Sequence, residues 1–429
     1  MQTNNEQHGN SELTASKPRH TRLIPAAAAI LCAGLACLCG PRQAYAVAYF
    51  NPFATINVEH SSNIFSLPDK EALGPGASYE DTITRYIVGS TADFDWGLDK
   101  LTLNAQGSRY QYADNTELSH FESKFGGLLE WRLSPIFSGR FDYSQGRTLS
   151  APGDTLSQQL QIQTDRIAQA AFRLLITPRW RFDLEPEWHQ LDSPLPQYPE
   201  FGYRESSAAA SILYLGINKL TAGVRAAYLD GSFHHIVDAT KYNQKTAELT
   251  SNYAVTGLTT FDMHIGYTWR NASLENPADA MDFGGGTVGA LGNTKAFTGA
   301  LGFSRHLSVK TGINFKVFRE VDSYAAGANP DISTGVEGAL KWDPDFRFSF
   351  GLRYRYARQS IQGTQIISDF TDRADRLNEA ELSVKYAIFR WLSVRPYGSR
   401  YTRSSNLARA SYNATVVGID LTAQLHQGK

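Results

Sequence analysis

The sequence predicts an all-β chain, a transmembrane antiparallel up-and-down β-barrel of about 18 strands, porin-like and of the outer-membrane kind. Three observations lead there. Apolar and polar side chains alternate through most of the chain, short and long connections alternate between the segments, and no run of 18 apolar residues follows the N-terminal segment to supply a membrane-spanning helix. With 41 basic and 42 acidic residues in 429, charge points to no nucleic-acid partner.

The N-terminus has its own logic. Arg19, His20 and Arg22 precede an apolar run from Leu23 to Leu38, followed by Ala44-Tyr45-Ala46. That is the pattern of a Sec signal peptide with an A-x-A cleavage site, so residues 1–46 are expected to be the signal and 47–429 the barrel. No leucine stands three places before Cys32, Cys37 or Cys39, which argues against a lipoprotein signal. These are the chain's three cysteines, so the mature protein is expected to hold no disulfide and no thiolate metal site. Cleavage takes four basic and two acidic residues with it, leaving 37 and 40.

The strand signal is read most clearly in Thr177 to Trp188, "TPRWRFDLEPEW". Trp180, Phe182, Leu184 and Trp188 occupy alternate places, with Arg179, Arg181, Asp183, Glu185 and Glu187 between them. Period two makes a strand with two unlike faces. Pro186 is expected at a strand end or a bulge, because it cannot donate to a ladder. The same alternation places Phe121, Phe125, Leu129 and Trp131 against Glu122, Lys124, Glu130 and Arg132, then turns at Ser134-Pro135 into Phe137, Phe141 and Tyr143 against Ser138, Arg140 and Asp142. It recurs from Phe261 to Arg270 and from Phe346 to Tyr356, and further segments begin near Leu101, Leu220, Leu307 and Leu382.

Short turns are expected near Ser134-Pro135, Thr177-Pro178, Asn218-Lys219, Gly257-Leu258, Arg305-His306, Asp343-Pro344-Asp345 and Phe389-Arg390. Longer polar loops fall between them, around Pro68 to Asp81, Asp192 to Tyr203, Asp230 to Tyr242, Asn271 to Asn293, Arg319 to Asp331 and Ile361 to Asp375. Tight periplasmic turns and longer outside loops are the habit of outer-membrane barrels. Counting from Phe53 to Leu425 gives about 18 strands, with about 16 left open because the first and the seventeenth are weakly patterned. A secreted β-sandwich also alternates, but this many long two-faced strands exceeds one sandwich. The ending "TAQLHQGK", without a terminal aromatic, leaves the limit of the last strand open.

In a barrel the aromatic faces meet lipid and the charged faces meet the lumen. The candidate pore-lining residues are therefore Arg132, Arg140, Arg179, Arg181, Asp183, Glu185, Glu337, Arg347, Arg353 and Arg355. Opposed ladders of charge would set a transverse field and hold polyhydroxylated solutes, or the charges simply satisfy one another across a filled barrel. Both readings stand at this point. Gly284-Gly285-Gly286-Thr287-Val288-Gly289 spells G-x-G-x-x-G, but neither a strand before it nor a helix after it is expected, so it reads as an outer loop. His234-His235 with Asp238 reads as solvated loop rather than a metal site, and no Ser, His and Asp spacing suggests catalysis. No enzyme, cofactor or metal is expected.

"SSNIFSLPD", Ser61 to Asp69, followed by "DTITRYIVGSTADF", Asp81 to Phe94, resembles the exosortase-associated exopolysaccharide biosynthesis barrels called EpsL, and the likeness runs on through Leu101 to Ser150 and more weakly to the end. Asn63, Leu67 and Pro68 fit the family's segment, and Ser62 stands where it usually has Asp. The resemblance implies export of an extracellular polysaccharide across the outer membrane of a Gram-negative bacterium, by a passive translocation pore working with periplasmic export proteins. It carries no active-site residues. A general uptake porin and a non-conducting surface barrel are the alternatives, and the expected surroundings are outer-membrane lipid and the barrel-assembly machinery.

Overall fold

A computed structural model describes residues 47–150, 160–193, 202–216, 219–234, 240–274, 293–323, 330–361 and 373–425. The expected signal (1–46), the Gly284 to Gly289 loop, His235 and Asp238 lie outside these residues, as does the side chain of His234. The described chain forms β1 (Val47–Ser61), β2 (Asp81–Trp96), β3 (Asp99–Tyr112), β4 (His120–Arg132), β5 (Phe137–Leu149) and β6 (Ile162–Thr177). It continues through β7 (Trp180–Asp192), β8 (Gly202–Leu215), β9 (Leu220–His234), β10 (Thr240–Thr256), β11 (Thr259–Leu274) and β12 (Thr294–Ser308). The ring is completed by β13 (Thr311–Ser323), β14 (Pro330–Trp342), β15 (Phe348–Ile361), β16 (Ala374–Phe389), β17 (Leu392–Ser405) and β18 (Tyr412–Gln424).

Each strand pairs antiparallel with its neighbour in sequence, and β1 pairs with β18, so the 18-stranded sheet closes with no free edge between first and last strands. At the closure Phe53 to Ser61 face Gln424 to Val416, and the Leu425 N–H donates to the Pro52 carbonyl at 3.0 Å. The strand count of 18 and the antiparallel closed topology agree with the pattern read from the sequence. β1 starts at Val47, earlier than Phe53, because its first residues pair only with β2.

Register keeps each face uniform around the ring. Trp180, Phe182 and Leu184 of β7 pair with Tyr214, Ile212 and Ala210 of β8, and their exposed members share one phase with Val224, Leu249 and Ile265 on the following strands. Large apolar side chains thus point outward all the way around, including Phe297, Leu301, Leu352 and Val417. Their exposure to the surroundings is what lipid contact requires and what water would penalise.

Local departures from the sequence reading have local causes. The expected turn at Arg305-His306 lies later, after Ser308: Arg305 and Leu307 sit at the rim of the strand, and the ladder shifts register between His306 and Ser308 before the chain reverses. Leu382 falls inside β16 rather than near its start, paired with Leu352. Pro186 occupies neither a strand end nor a bulge. It sits within β7 and pairs with Ala208, while the ladder to β6 lapses between the Gln169/Glu187 and Phe172/Leu184 pairs, on the side where its N–H is missing. Gly97, with φ +67°, makes the tight reversal between β2 and β3 that a side chain would strain. In the β14–β15 turn Asp345 accepts from the N–H groups of Arg347 and Phe348 at 2.7 and 2.9 Å, and these bonds hold its carboxyl below the ordinary range.

Candidate functional site: the lumen wall and its outer mouth

The phase that carries lipid-facing side chains fixes the opposite one as the lumen wall. Arg132 and Arg140 lie on it in β4 and β5, Arg181, Asp183 and Glu185 in β7, Glu337 in β14, and Arg353 and Arg355 in β15. The remaining two candidates do not lie on strands. Arg179 is in the turn between β6 and β7, and Arg347 precedes the first residue of β15, so both stand exposed at the rim with the short turns. Alternation extended through a turn misplaced them.

The wall charges are paired yet wet. Arg353 meets Glu337 at 3.1 Å, Arg355 meets Glu379 at 3.5 Å, and Arg181 meets Asp183 at 2.8 Å. Arg225 of β9 joins Glu248 at 3.0 Å and Glu185 at 3.7 Å. Asp183 and Glu248 keep only 8% and 11% of their exposure, but a filled barrel would bury the other groups as well. Instead the Arg353 and Glu185 side chains keep 57% and 41% of their exposure, and Arg395 and Glu381 keep 38% and 35%. Barrels of about 16 to 18 strands are wide enough to leave an aqueous channel. The wall is open to solvent, and the charges neutralise one another locally instead of forming single-sign rings.

A polar network crosses the barrel closure, and the alternation reading did not find it. Asn57, fully buried, donates to Asp420 at 2.7 Å and to the Tyr397 hydroxyl at 3.0 Å. The Tyr397 hydroxyl in turn donates to Glu59, and Arg395 pairs with Asp420 at 2.7 Å. Gly418 makes this possible: a Cβ there would stand 2.7 Å from the Tyr397 ring. Partners more than 300 residues apart leave no local signal.

At the outer mouth a loop folds against the inner wall. Loop 62–80 turns back so that Phe65, 3% exposed, packs with Ile83, Tyr110, Tyr112 and Leu118. Ile83 and Tyr110 lie in the phase opposite to the exposed Tyr86 and Val88, so Phe65 rests against the inner side of β2 and β3. Asn63 holds the loop's shape. Its Nδ2 group donates to the Leu67 carbonyl and the Tyr79 hydroxyl, each at 2.8 Å, and to the Asn413 carbonyl at 3.1 Å, while its Oδ1 accepts from Leu67 N–H at 3.0 Å. Burial, with Asp69 adding to it, pushes the Tyr79 phenol up. Ser66 adopts φ 54°, a strained value for a residue with a Cβ that persists when its surroundings fix it.

The loop is also tied to its neighbour. Buried Asp81 accepts from the N–H groups of Ala113, Asp114 and Asn115 at 3.0, 3.1 and 2.8 Å, and Asn115 exchanges hydrogen bonds with the Ser78 backbone. Two further apolar clusters occupy the inward phase in the outer half. One gathers Leu191, Tyr203, Phe233 and Tyr242, the other Ala300, Phe318, Ala357 and Leu377. The charged, wet wall therefore gives way to packed side chains toward the outer end.

The inner face carries charged pairs open to solvent below its packed outer end, the outer face is apolar, and the sheet has no open edge. The chain is an outer-membrane β-barrel. No protein-family model matches it, and no curated protein does. Among solved structures, vanillate-bound OpdK of Pseudomonas aeruginosa is 13% identical, with 88% of this chain and 99% of that chain covered and a TM-score of 0.44. OccK2 (OpdF) of the same organism, in complex with glucuronate, is 12% identical, covering 89% and 98% at 0.46. OprD, also of Pseudomonas aeruginosa, is 12% identical, covering 90% and 95% at 0.44. Likeness at this level says nothing about a solute. Among the described residues no group of three or more His, Cys, Asp or Glu is placed to hold a metal ion.

Proposed function

We propose that the barrel is a passive channel through which small polar solutes cross the outer membrane inward. The observation that carries this reading is the wall itself: inward Arg and Glu side chains that are paired across strands and still keep 29% to 57% of their exposure. A wall of locally neutral pairs offers hydrogen bonds to hydroxyl and carboxylate groups and imposes no strong barrier on either sign of charge. The inward-folded loop 62–80 and the packed outer half limit solute size, which favours small molecules over an emerging polymer. Liposomes containing the purified protein should swell in solutions of small sugars, with the rate falling steeply as sugar size increases. Absence of swelling for every solute, with the barrel folded, would reject the channel in favour of a non-conducting surface barrel.

Polysaccharide export is the second reading, and a specific observation favours it: the segment Ser61 to Asp69, which carries the resemblance to exopolysaccharide barrels, builds the outer mouth. That reading requires loss of polymer at the cell surface on gene deletion, with polymer or its lipid-linked precursor accumulating behind the outer membrane. Normal surface polymer in the deletion strain, with no related barrel to substitute, leaves small-solute uptake standing alone.

A further inference from the structure

The lipid-facing surface is apolar up to a definite level, and there it becomes basic. Arg109 of β3 pairs with Tyr86 and Phe121, which are 45% and 49% exposed on the outer wall, so its side chain leaves the barrel outward. Arg147 and Arg204 share the outward phase on β5 and β8. Lys245 lies between Tyr228 and Trp269, and Lys295 pairs with Trp269 from the other side. Arg319 and Arg400 continue the level on β13 and β17. At this end of the wall the carboxylates in the outward phase, among the described residues, are Asp192 and Asp230, and Asp192 is engaged by Arg166. The acidic residues of β13 to β16 instead point inward, as Glu320, Glu337, Glu379 and Glu381 do.

The level is set by distance along the strands. Arg147 follows Phe137 in β5, and Arg358 follows Phe348 in β15, by roughly ten residues, or about 33 Å of strand at ~3.3 Å each. With the strands tilted by about 40° this is roughly 25 Å above the short turns, the height of the apolar band of such barrels. The basic side chains therefore stand where acyl chains give way to headgroups of the outer leaflet.

One pair sets two like charges directly against each other on the wall. Arg358 of β15 lies directly across from Arg376 of β16, both exposed, with no carboxylate in ion-pair contact among the described residues. Like charges directly opposite destabilise a sheet. A phosphate between two guanidinium groups removes that repulsion and uses their forked donors. We infer that this girdle binds the phosphate groups of a phosphorylated glycolipid in the outer leaflet, with Arg358 and Arg376 as one headgroup seat and Lys245 and Lys295, flanking Trp269, as another. The protein supplies the positive charge that divalent cations otherwise supply between such headgroups, so binding does not need them.

The test uses the purified full barrel in nanodiscs of phosphatidylcholine doped with bis-phosphorylated lipid A, in EDTA, with retained lipid counted by native mass spectrometry. Lipid A is expected to stay bound, and the Arg358→Gln/Arg376→Gln and Lys245→Gln/Lys295→Gln pairs are each expected to lose about tenfold in affinity. Arg305→Gln, an outward basic residue at the opposite rim, is expected to leave binding unchanged. Heat-modifiable migration identifies folded variants, and the second pair serves if the first does not fold. Millimolar inorganic phosphate should fail to displace the lipid, whereas displacement would assign the seats to free phosphate. Equal retention of enzymatically dephosphorylated lipid A, or undiminished retention in folded paired variants, would overturn the inference.

Discussion

Leu352 and Arg353 are adjacent in sequence and belong to different solvents. Leu352 is 47% exposed toward lipid, and Arg353 reaches Glu337 across the wet wall. Leu352→Arg is expected to cost about 2 to 4 kcal/mol near the midplane, whereas Arg353→Leu should leave assembly in vesicles intact, and unfolding in urea compares them. Equal tolerance at the two positions would reverse the faces. Because Arg353 and Arg355 are paired with Glu337 and Glu379, replacing both arginines by Ala frees two carboxylates, so reversal potentials should move toward cations. Asp345 gives a pH effect of known sign. Its depressed carboxyl stabilises the turn above the ordinary carboxylate range and loses that contribution as pH falls below it, so amide exchange at Arg347 and Phe348 should rise there in the wild type.

Among the elements, the strands were the most legible in sequence, because lipid and water impose period two on every one of them. β7 and β15 could be read residue by residue, and their faces in the structure are those read, up to the turns that displace Arg179 and Arg347. β17 was obscure for a physical reason. Its inward phase carries Tyr397 and Tyr401 beside Arg395 and Arg403, and its outward phase Pro396, Gly398 and Arg400 beside Val394, so the usual contrast is blurred. Loop 62–80 was legible as a polar loop around Pro68 to Asp81 and as a family likeness around Asn63, Leu67 and Pro68, but not in its fold, which depends on Asn115, Ile83 and Asn413, residues that no local pattern connects to it. Phe65→Ala removes a buried ring worth about 3 to 5 kcal/mol, and Asn63→Ala leaves buried groups unpaired at about 1 to 3 kcal/mol. Either change should loosen the mouth, raising conductance and the size limit in swelling assays without unfolding the barrel. Unchanged permeation in both variants would show that loop 62–80 does not restrict the passage.

For the whole molecule, closure is the property from which the rest follows. A ring of paired strands has no edge to fray, so the protein should migrate faster on gels until boiled and should fractionate with outer membranes. The Asn57, Tyr397, Asp420 and Arg395 network adds side-chain bonds across the seam where the first and last strands meet. Asn57→Ala leaves Asp420 and Tyr397 short of a buried partner and should lower the temperature of that migration change more than Thr55→Ala, which removes a hydroxyl contact with Thr422. The central claim is that the closed ring encloses continuous water. Single-channel recording of the purified, folded protein in a planar bilayer tests it most directly: stepwise openings of constant size, with current proportional to voltage and weak ion selectivity, are predicted, whereas a bilayer that stays silent with heat-modifiable protein inserted would contradict an open lumen.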